Sequence, residues 1–297
     1  MVILMGVGAA LFLGVGWVLQ QRVATRSESS GLMSWQVLRE LIGSWQWWGG
    51  ILAMTVGQAL SAWALQLGAL SLVEPLLVTC LLFAFIVSAL LARHQVEWQE
   101  IAGCLVLVGA VALFLLIAHP KINKHFTVGW LALSVACAII AAVALVLVLV
   151  AKTVGARTTI AVECSLLAAA AGTLYGLQDA TTRGAIVDVR HKPLLSLLAM
   201  PWPYLVVASA TAGVLLSQSA FRAGRLDYAL PPTATMQPIA GVALGVGLLG
   251  DELSATEVSI AGQLLCLAAM VAAVTLIGRS PALAADESAA PQQTAAR

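Results

Sequence analysis

Charged side chains are scarce in this 297-residue sequence, at 10% of the chain, whereas soluble domains carry about 25%. Hydrophobic residues make up 61% of the chain, and the mean hydropathy is +0.96. So few charges cannot cover the surface of a water-soluble fold, because such a surface needs polar groups that remain hydrated. The composition therefore excludes the soluble classes and predicts an integral membrane protein.

The sequence also lacks the patterns on which catalytic and metal-binding proteins depend. Its five cysteines stand singly in apolar runs, which argues against a disulfide framework or a zinc site. A Walker loop, a Gly-x-Ser-x-Gly motif and a His-Glu-x-x-His motif are all absent. The balance of 15 Lys and Arg against 14 Asp and Glu gives no basic surface for nucleic acid. We therefore expect neither an enzyme nor a nucleic-acid-binding protein, and no cofactor or resident metal.

Long apolar runs are what the sequence has instead. A hydrocarbon core about 30 Å thick requires roughly 20 apolar residues in a helix. By that measure about nine segments are predicted to span the membrane, which makes the fold class an all-α, polytopic helix bundle. The predicted spans are residues 2–19, 47–67, 70–92, 99–118, 128–151, 158–180, 203–222, 228–249 and 258–278.

The connecting segments predict an orientation. Ten of the 15 Lys and Arg fall on the side that holds the C-terminal tail, so that side is expected to be cytoplasmic and the N-terminus outside, in a multi-pass plasma-membrane protein. Residues 31–46 place apolar side chains at helical spacing and predict an interfacial amphipathic helix, with a tenth span as the alternative. Residues 279–297 are rich in Ala, Ser and Pro and predict a disordered cytoplasmic tail.

Two stretches, 76–114 and 235–273, resemble each other at an offset of 159 residues. Ile101-Ala102-Gly103 falls on Ile260-Ala261-Gly262, and each stretch consists of a span, a short polar break and a second span. An internal repeat joined by one linking span is inverted relative to its copy, which is typical of secondary transporters. The predicted units are a first four-span repeat, a linking span and a second four-span repeat, at residues 1–118, 119–157 and 158–278.

Several short motifs carry a resemblance to a known family. The second half has Gln237-Pro238 inside a span, followed by glycines at helical spacing and a Gly250-Asp251-Glu252 break. The first half has Trp47-Trp48-Gly49-Gly50, Gly57-Gln58, and Ala-Leu-Ser-Leu-Val-Glu-Pro-Leu at residues 69–76. This order resembles the drug/metabolite transporter superfamily with EamA-type repeats, and best its nine-span branch, which includes magnesium-transporter-like NIPA-type proteins and actinobacterial members.

The resemblance covers nearly all of residues 1–278. It implies a permease whose cargo is a small metabolite, a drug-like solute or an ion. NIPA-like proteins typically have a Gly-Glu pair where this chain has Gly57-Gln58, so a carboxylate that could meet a divalent cation is missing at that position.

Acidic residues inside the spans are candidate site residues, because an ionisable group in hydrocarbon costs several kcal/mol. Glu74 precedes Pro75, which cannot donate a backbone hydrogen bond and so frees a carbonyl beside the acid. Such an acid can bind a cation or relay a proton, although an acid that only reaches headgroup water is the alternative. Asp179 stands four residues before Arg183, a spacing that suits a helical ion pair, with a role in the site as the other reading.

Uncharged polar residues complete the set of candidates. Gln58 and Gln237 fall near the middle of their spans, where an amide without a partner is unfavourable. Gln237 precedes Pro238, a helix-break position of the kind that lines transporter cavities. Interhelical hydrogen bonding that holds the bundle together is the competing interpretation. Gln178, next to Asp179, is a lesser candidate.

These observations favour a gradient-driven secondary transporter that works by alternating access, with the lipid bilayer and a small solute or ion as its partners and a homodimer as a possible assembly. A magnesium or other divalent-cation permease of the NIPA-like type is the first alternative. A non-transporting scaffold or partner subunit of the membrane is the second. A polar site reached by Glu74, Gln58 or Gln237 would favour transport, and a solid apolar bundle would favour the scaffold.

Overall fold

The computed structural model describes residues 1–26, 45–92, 96–122, 128–153, 160–189, 198–223 and 226–278. Most of the predicted amphipathic segment at 31–46, and the whole predicted tail at 279–297, lie outside these residues. The described residues form ten α-helices: α1 (Val2–Arg26), α2 (Trp45–Leu67), α3 (Leu70–Val78), α4 (Cys80–Ala92), α5 (Trp98–Ala118), α6 (Trp130–Thr153), α7 (Ile160–Val189), α8 (Trp202–Ala223), α9 (Leu226–Gly247) and α10 (Glu257–Gly278).

The helices have the length and composition of membrane spans. Within the described residues, six stretches are long and apolar enough to cross a membrane: Val2–Leu19, Trp45–Leu67, Leu70–Leu91, Trp98–Ala118, Trp130–Thr153 and Glu257–Gly278. The remaining three predicted spans correspond to α7, α8 and α9. The prediction of a helical membrane protein is therefore confirmed, with six spans supported by length and hydropathy.

Large apolar side chains point away from the bundle. Leu131 is 77% exposed, and Leu4 and Leu265 are each 71% exposed. Such a surface is unfavourable in water but matches the acyl chains of a bilayer. Trp98 and Trp130, at the first positions of α5 and α6, are also exposed, as expected of tryptophans that lie at a membrane interface.

Glycines allow the helices to approach closely. A Cβ atom added to Gly16 of α1 would lie 3.0 Å from the carbonyl oxygen of Gly50 in α2. The same addition to Gly176 of α7 would lie 2.7 Å from the carbonyl oxygen of Gln237 in α9. Since any side chain at these positions would meet backbone, the two helix pairs depend on glycine, as expected for small-residue contacts between membrane helices.

The predicted span at 70–92 is not one continuous helix. Pro75 lacks the N–H that would bond the carbonyl of Ser71 one turn earlier. The helix then ends at Val78, and both the amide and the hydroxyl of Thr79 donate to the carbonyl oxygen of Leu76, at 3.1 and 2.6 Å. α4 begins directly afterwards at Cys80. The break puts the short helix α3 inside the bundle, where eight of its nine residues are buried.

Replacing Thr79 with valine should lower the free energy of unfolding by about 1 kcal/mol, because it removes a buried hydrogen bond without changing the shape of the side chain. Thr55→Val is the matched control, since the Thr55 hydroxyl also donates to a carbonyl of its own helix but is exposed. That change should stay within about 0.5 kcal/mol. Thermal unfolding in detergent would measure both variants, and equal effects would contradict a special role of the break.

One end of the bundle is closed by an ordered segment, residues 248–256, which we call the strap. Gly250 has a φ of 66°, in the left-handed region that glycine adopts without strain. The backbone of Glu252 forms an antiparallel bridge with Lys121 beyond the end of α5, with N···O distances of 3.0 and 2.9 Å. Ser254 donates its amide to the carbonyl oxygen of Ala118 at 2.9 Å. The strap thus joins α9 and α10 to the end of α5.

Candidate functional site

Glu74 is the acidic residue most deeply enclosed by the bundle. It occupies the fifth position of α3 and has a relative exposure of 0%. Neither of its carboxyl oxygens has a hydrogen-bond partner in the described part of the chain. An ionised carboxylate in this state would be strongly unfavourable, because burial removes water and nothing described replaces its hydrogen bonds. In this conformation Glu74 does not reach water.

Asp179 of α7 and Gln237 of α9 lie beside Glu74. The side-chain amide of Gln237 donates from Nε2 to Oδ2 of Asp179 at 2.9 Å. The carboxyl group of Asp179 lies near that of Glu74, so the two groups interact electrostatically. Asp179 is also buried, with 5% relative exposure. We call Glu74 and Asp179 the carboxyl pair.

Gly241 provides the space that the Glu74 side chain occupies. A Cβ atom at position 241 would overlap Oε1, Cδ and Cγ of Glu74. Gly241 lies one helical turn after Gln237, so the two residues share a face of α9. The same face therefore supplies an amide to one carboxyl group and a cleft to the other.

The position of Asp179 follows from the contact between α7 and α9. Gly172 and Gly176 of α7 pack against the backbone of α9 at Thr233 and Gln237. Asp179 lies three residues after Gly176, nearly one turn along α7 and on the same side of the helix. This close contact through the Gly172 and Gly176 face brings Asp179 to Gln237.

Arg183 does not form the predicted pair with Asp179. Its guanidinium instead donates from Nη1 to Oδ1 of Asp251 in the strap at 2.8 Å, and both side chains are buried. Oδ2 of Asp251 accepts from the amide and the hydroxyl of Ser71 at 2.9 and 3.0 Å. Helical spacing allowed the pair with Asp179, but the strap offers a carboxylate that is held in place and has Ser71 as a further donor.

The other predicted residues are placed differently. Gln58 is exposed on α2, so the structure does not bring it to the carboxyl pair. Gln178 is half-buried, and its backbone carbonyl accepts the hydroxyl of Thr182 at 2.7 Å. Pro75 adjoins the carboxyl pair through Glu74, and Pro238 is buried in α9 next to Gln237.

Sequence reasoning missed three contributors to this region. In the sequence, Gly241 is one of the glycines at helical spacing after Pro238, and Ser71 is one residue of the motif at 69–76. Asp251 stands in the polar Gly250-Asp251-Glu252 break, where a solvated side chain is expected, yet it is 4% exposed and ion-paired. The available signal was its position directly after Gly250, at the end of an apolar helix that runs antiparallel to α3.

Two cavities of the described part of the chain lie away from the carboxyl pair. A groove of about 530 Å³ lies on α8 and is lined by apolar side chains, among them Tyr204 and Leu215. A much smaller void of about 10 Å³ lies between α9 and α10 beside Pro238. No group of three or more His, Cys, Asp or Glu within the described residues could hold a metal ion.

Comparison with known proteins gives a relative over the whole length. An uncharacterized protein of Corynebacterium glutamicum is 23% identical over 290 residues, covering 95% of this chain and 96% of the relative. No family model and no solved structure matches the chain. The region of the carboxyl pair is thus described by its own geometry: two buried acids, one amide and a glycine cleft within a helical membrane bundle.

Proposed function

We propose that this protein is a secondary membrane transporter that moves a small solute or ion by alternating access, with Glu74, Asp179 and Gln237 as its binding site. The observation that carries the proposal is the fully buried Glu74 carboxyl group, which has no donor among the described residues. A structural bundle gains nothing from such a group, because an apolar side chain of similar size would be less costly to bury. Polar groups at this depth in a membrane protein commonly mark a transport pathway.

The contact between α5 and α10 supports two inverted halves. A Cβ atom on Gly103 of α5 would lie 3.4 Å from Leu276 of α10, and a Cβ atom on Gly262 of α10 would lie 3.0 Å from Ile117 of α5. Gly262 lies 159 residues after Gly103, and Leu276 lies 159 residues after Ile117. This is the offset of the sequence repeat. Gly103 contacts Leu276, and the counterparts of these two residues in the repeat, Gly262 and Ile117, contact each other. Such a reciprocal contact is expected when a two-fold axis relates the two helices. Because the helices run antiparallel, such an axis would be perpendicular to them, as in an inverted repeat.

The first helix of each half packs in the same way on its neighbour. A Cβ atom on Gly57 of α2 would meet Leu13 of α1 at 2.8 Å, and one on Gly213 of α8 would meet Tyr175 of α7 at 2.7 Å. A further correspondence involves Gly14 of α1, the residue after Leu13, and Gly176 of α7, the residue after Tyr175. These repeated contacts favour the arrangement of four spans, a linking helix and four spans.

Gly14 and Gly176 each pack against a carbonyl oxygen and the amide four residues later. For Gly14 these atoms belong to Cys80 and Ala84 of α4, and for Gly176 they belong to Gln237 and Gly241 of α9. Gln237 and Gly241 in the second half thus correspond to Cys80 and Ala84 in the first half, where one apolar helix packs on another. In this proposal the carboxyl pair lies between halves that rock against each other, in a conformation closed to both sides.

Glu74→Gln should reduce solute flux in reconstituted vesicles by about 10- to 100-fold, because a hydrogen bond between the solute and an ionised Glu74 in an open state would contribute about 1.5–3 kcal/mol. Uptake and efflux would be measured with a panel of amino acids, amines, sugars and magnesium. Glu163→Gln is the control, since Glu163 is a half-buried acid in the first turn of α7 and should leave flux unchanged.

Three outcomes decide between the candidate functions. Absence of flux for the wild-type protein across the panel would favour the scaffold and overturn the transporter. Flux of magnesium alone would favour the divalent-cation permease. Solute flux that persists in Glu74→Gln would remove Glu74 from the binding site.

A further inference from the structure

We infer that the carboxyl pair binds one proton, carried on Glu74 and donated to an anionic Asp179, and that this proton is the coupling ion of the transporter. The coupling role rests on the proposed function, whereas the bound proton is a property of the protein itself. The inference begins from the hydrogen-bonding capacity of the groups. Two ionised carboxylates are acceptors only, so a hydrogen bond between Glu74 and Asp179 exists only when a proton lies between them.

The surroundings of each carboxyl group decide which of the two carries the proton. Oδ2 of Asp179 accepts the amide of Gln237 at 2.9 Å, and a donor of this kind favours the charged form of its acceptor. Both oxygens of Glu74 are buried and have no donor in the described part of the chain, which favours the neutral form. Glu74 is therefore the acid, Asp179 the base that accepts its proton, and Gln237 a positioning residue that fixes the assignment.

The helices packed around α3 offer no competing charge among the described residues. Residues 2–19 of α1, 45–67 of α2 and 80–92 of α4 contain no Asp, Glu, Lys, Arg or His. The acids of α5 lie at the start of that helix, whereas the strap, which binds α3, is attached to its end. α9 faces the pair with Gln237 and Gly241, and α7 faces it with Asp179.

Arg183, which lies one turn after Asp179 on α7, forms its ion pair outside the carboxyl pair. Arg183 is bound to Asp251 in the strap, so it does not neutralise the carboxyl pair. Tyr175, the other titratable group of this part of α7, shares a hydrogen bond with Ser217 of α8 at 3.0 Å. Within the described residues, no cation therefore balances the charge of the two buried carboxyl groups, and a bound ion would do so.

A proton fits the space better than a metal ion does. Calcium and magnesium need six or more oxygen ligands, whereas the described residues offer two carboxyl groups and the Gln237 amide, and the Glu74 carboxyl group is packed tightly against Gly241. In the closed state the pair has one negative charge, with the proton on Glu74. When the bundle opens to one side, water accepts that proton as hydronium and leaves two carboxylates, and reprotonation from the other side restores the pair.

Infrared spectroscopy of the purified protein tests the bound proton without any transported solute. The wild-type protein at neutral pH should have the carbonyl band of a protonated carboxylic acid, and the band should shift in heavy water. Glu74→Gln should lose it, because the amide at position 74 can donate to Asp179 and keep that group ionised. Glu163→Gln should retain the band unchanged, and Gln237→Leu should shift it by removing the donor to Asp179.

Several results would overturn the inference. They are a wild-type protein without the band, a band that persists in Glu74→Gln, and a band that disappears when magnesium is added at constant pH. Flux in proteoliposomes under an imposed pH gradient separates this inference from the proposed function. Solute flux that ignores the pH gradient would refute proton coupling but leave the transporter intact, whereas a bound proton without any solute flux would refute the transporter alone.

Discussion

Asp251→Ala should destabilise the protein by about 3–5 kcal/mol, which is the usual effect of removing one partner of a buried ion pair. The carboxylate of Asp251 is fully buried and meets the guanidinium of Arg183 at 2.8 Å. It also accepts both donors of Ser71 at the start of α3. The substitution would leave a buried guanidinium without this carboxylate and would release the strap from α3 and α7. Unfolding in detergent, monitored by circular dichroism, would measure the loss.

Two further variants make this prediction specific to the ion pair. Glu252→Ala changes the neighbouring residue, which is exposed and takes part in the strap through its backbone, and it should have little effect. The double variant Asp251→Ala with Arg183→Met removes both charges and should recover a large part of the lost stability. If the double variant were as unstable as both single losses combined, the ion pair would not be the source of the effect.

The membrane helices could be predicted from the sequence because their signal is local. A run of about 20 apolar residues is sufficient for a span, and the bounds of α2, α5, α8 and α10 differ by at most two residues from the predicted ones. Gly172 and Gly176 also carried a local signal, since glycines at this spacing form a flat helix face. The end of α7 was not predicted, because Asp179 and Arg183 interrupted the apolar pattern.

The partners of the polar residues could not be predicted in the same way. Arg183 had an acid at helical spacing, yet it binds Asp251, 68 residues away. The spacing of residues along one helix shows which partners are within reach. It does not show which residues elsewhere in the fold compete for the same partner. For Glu74 and Gln237 the argument was different. Each was recognised because an ionisable or amide side chain inside an apolar run needs a partner, and the fold brings both to Asp179.

Gly241→Ala should both destabilise the protein and abolish solute flux, although it adds only one methyl group. The new Cβ atom would occupy the space of the Glu74 carboxyl group, and Glu74 is enclosed on all sides, with 0% exposure. Overpacking of this kind typically costs about 1–3 kcal/mol. Alanine is otherwise the better residue in a helix by about 1 kcal/mol, so a loss of stability here would run against the intrinsic preference.

The same helix provides the control, and Glu74 provides the rescue. Gly247 lies at the end of α9 with nothing within 4 Å of an added Cβ atom, so Gly247→Ala should leave stability equal or raise it. The double variant Gly241→Ala with Glu74→Ala should be more stable than Gly241→Ala alone, because the smaller side chain vacates the cleft, yet it should remain inactive. Thermal unfolding and vesicle flux measured on all four proteins would separate the packing of the cleft from the chemistry of its acid. Equal stability of Gly241→Ala and Gly247→Ala would contradict a cleft filled by Glu74.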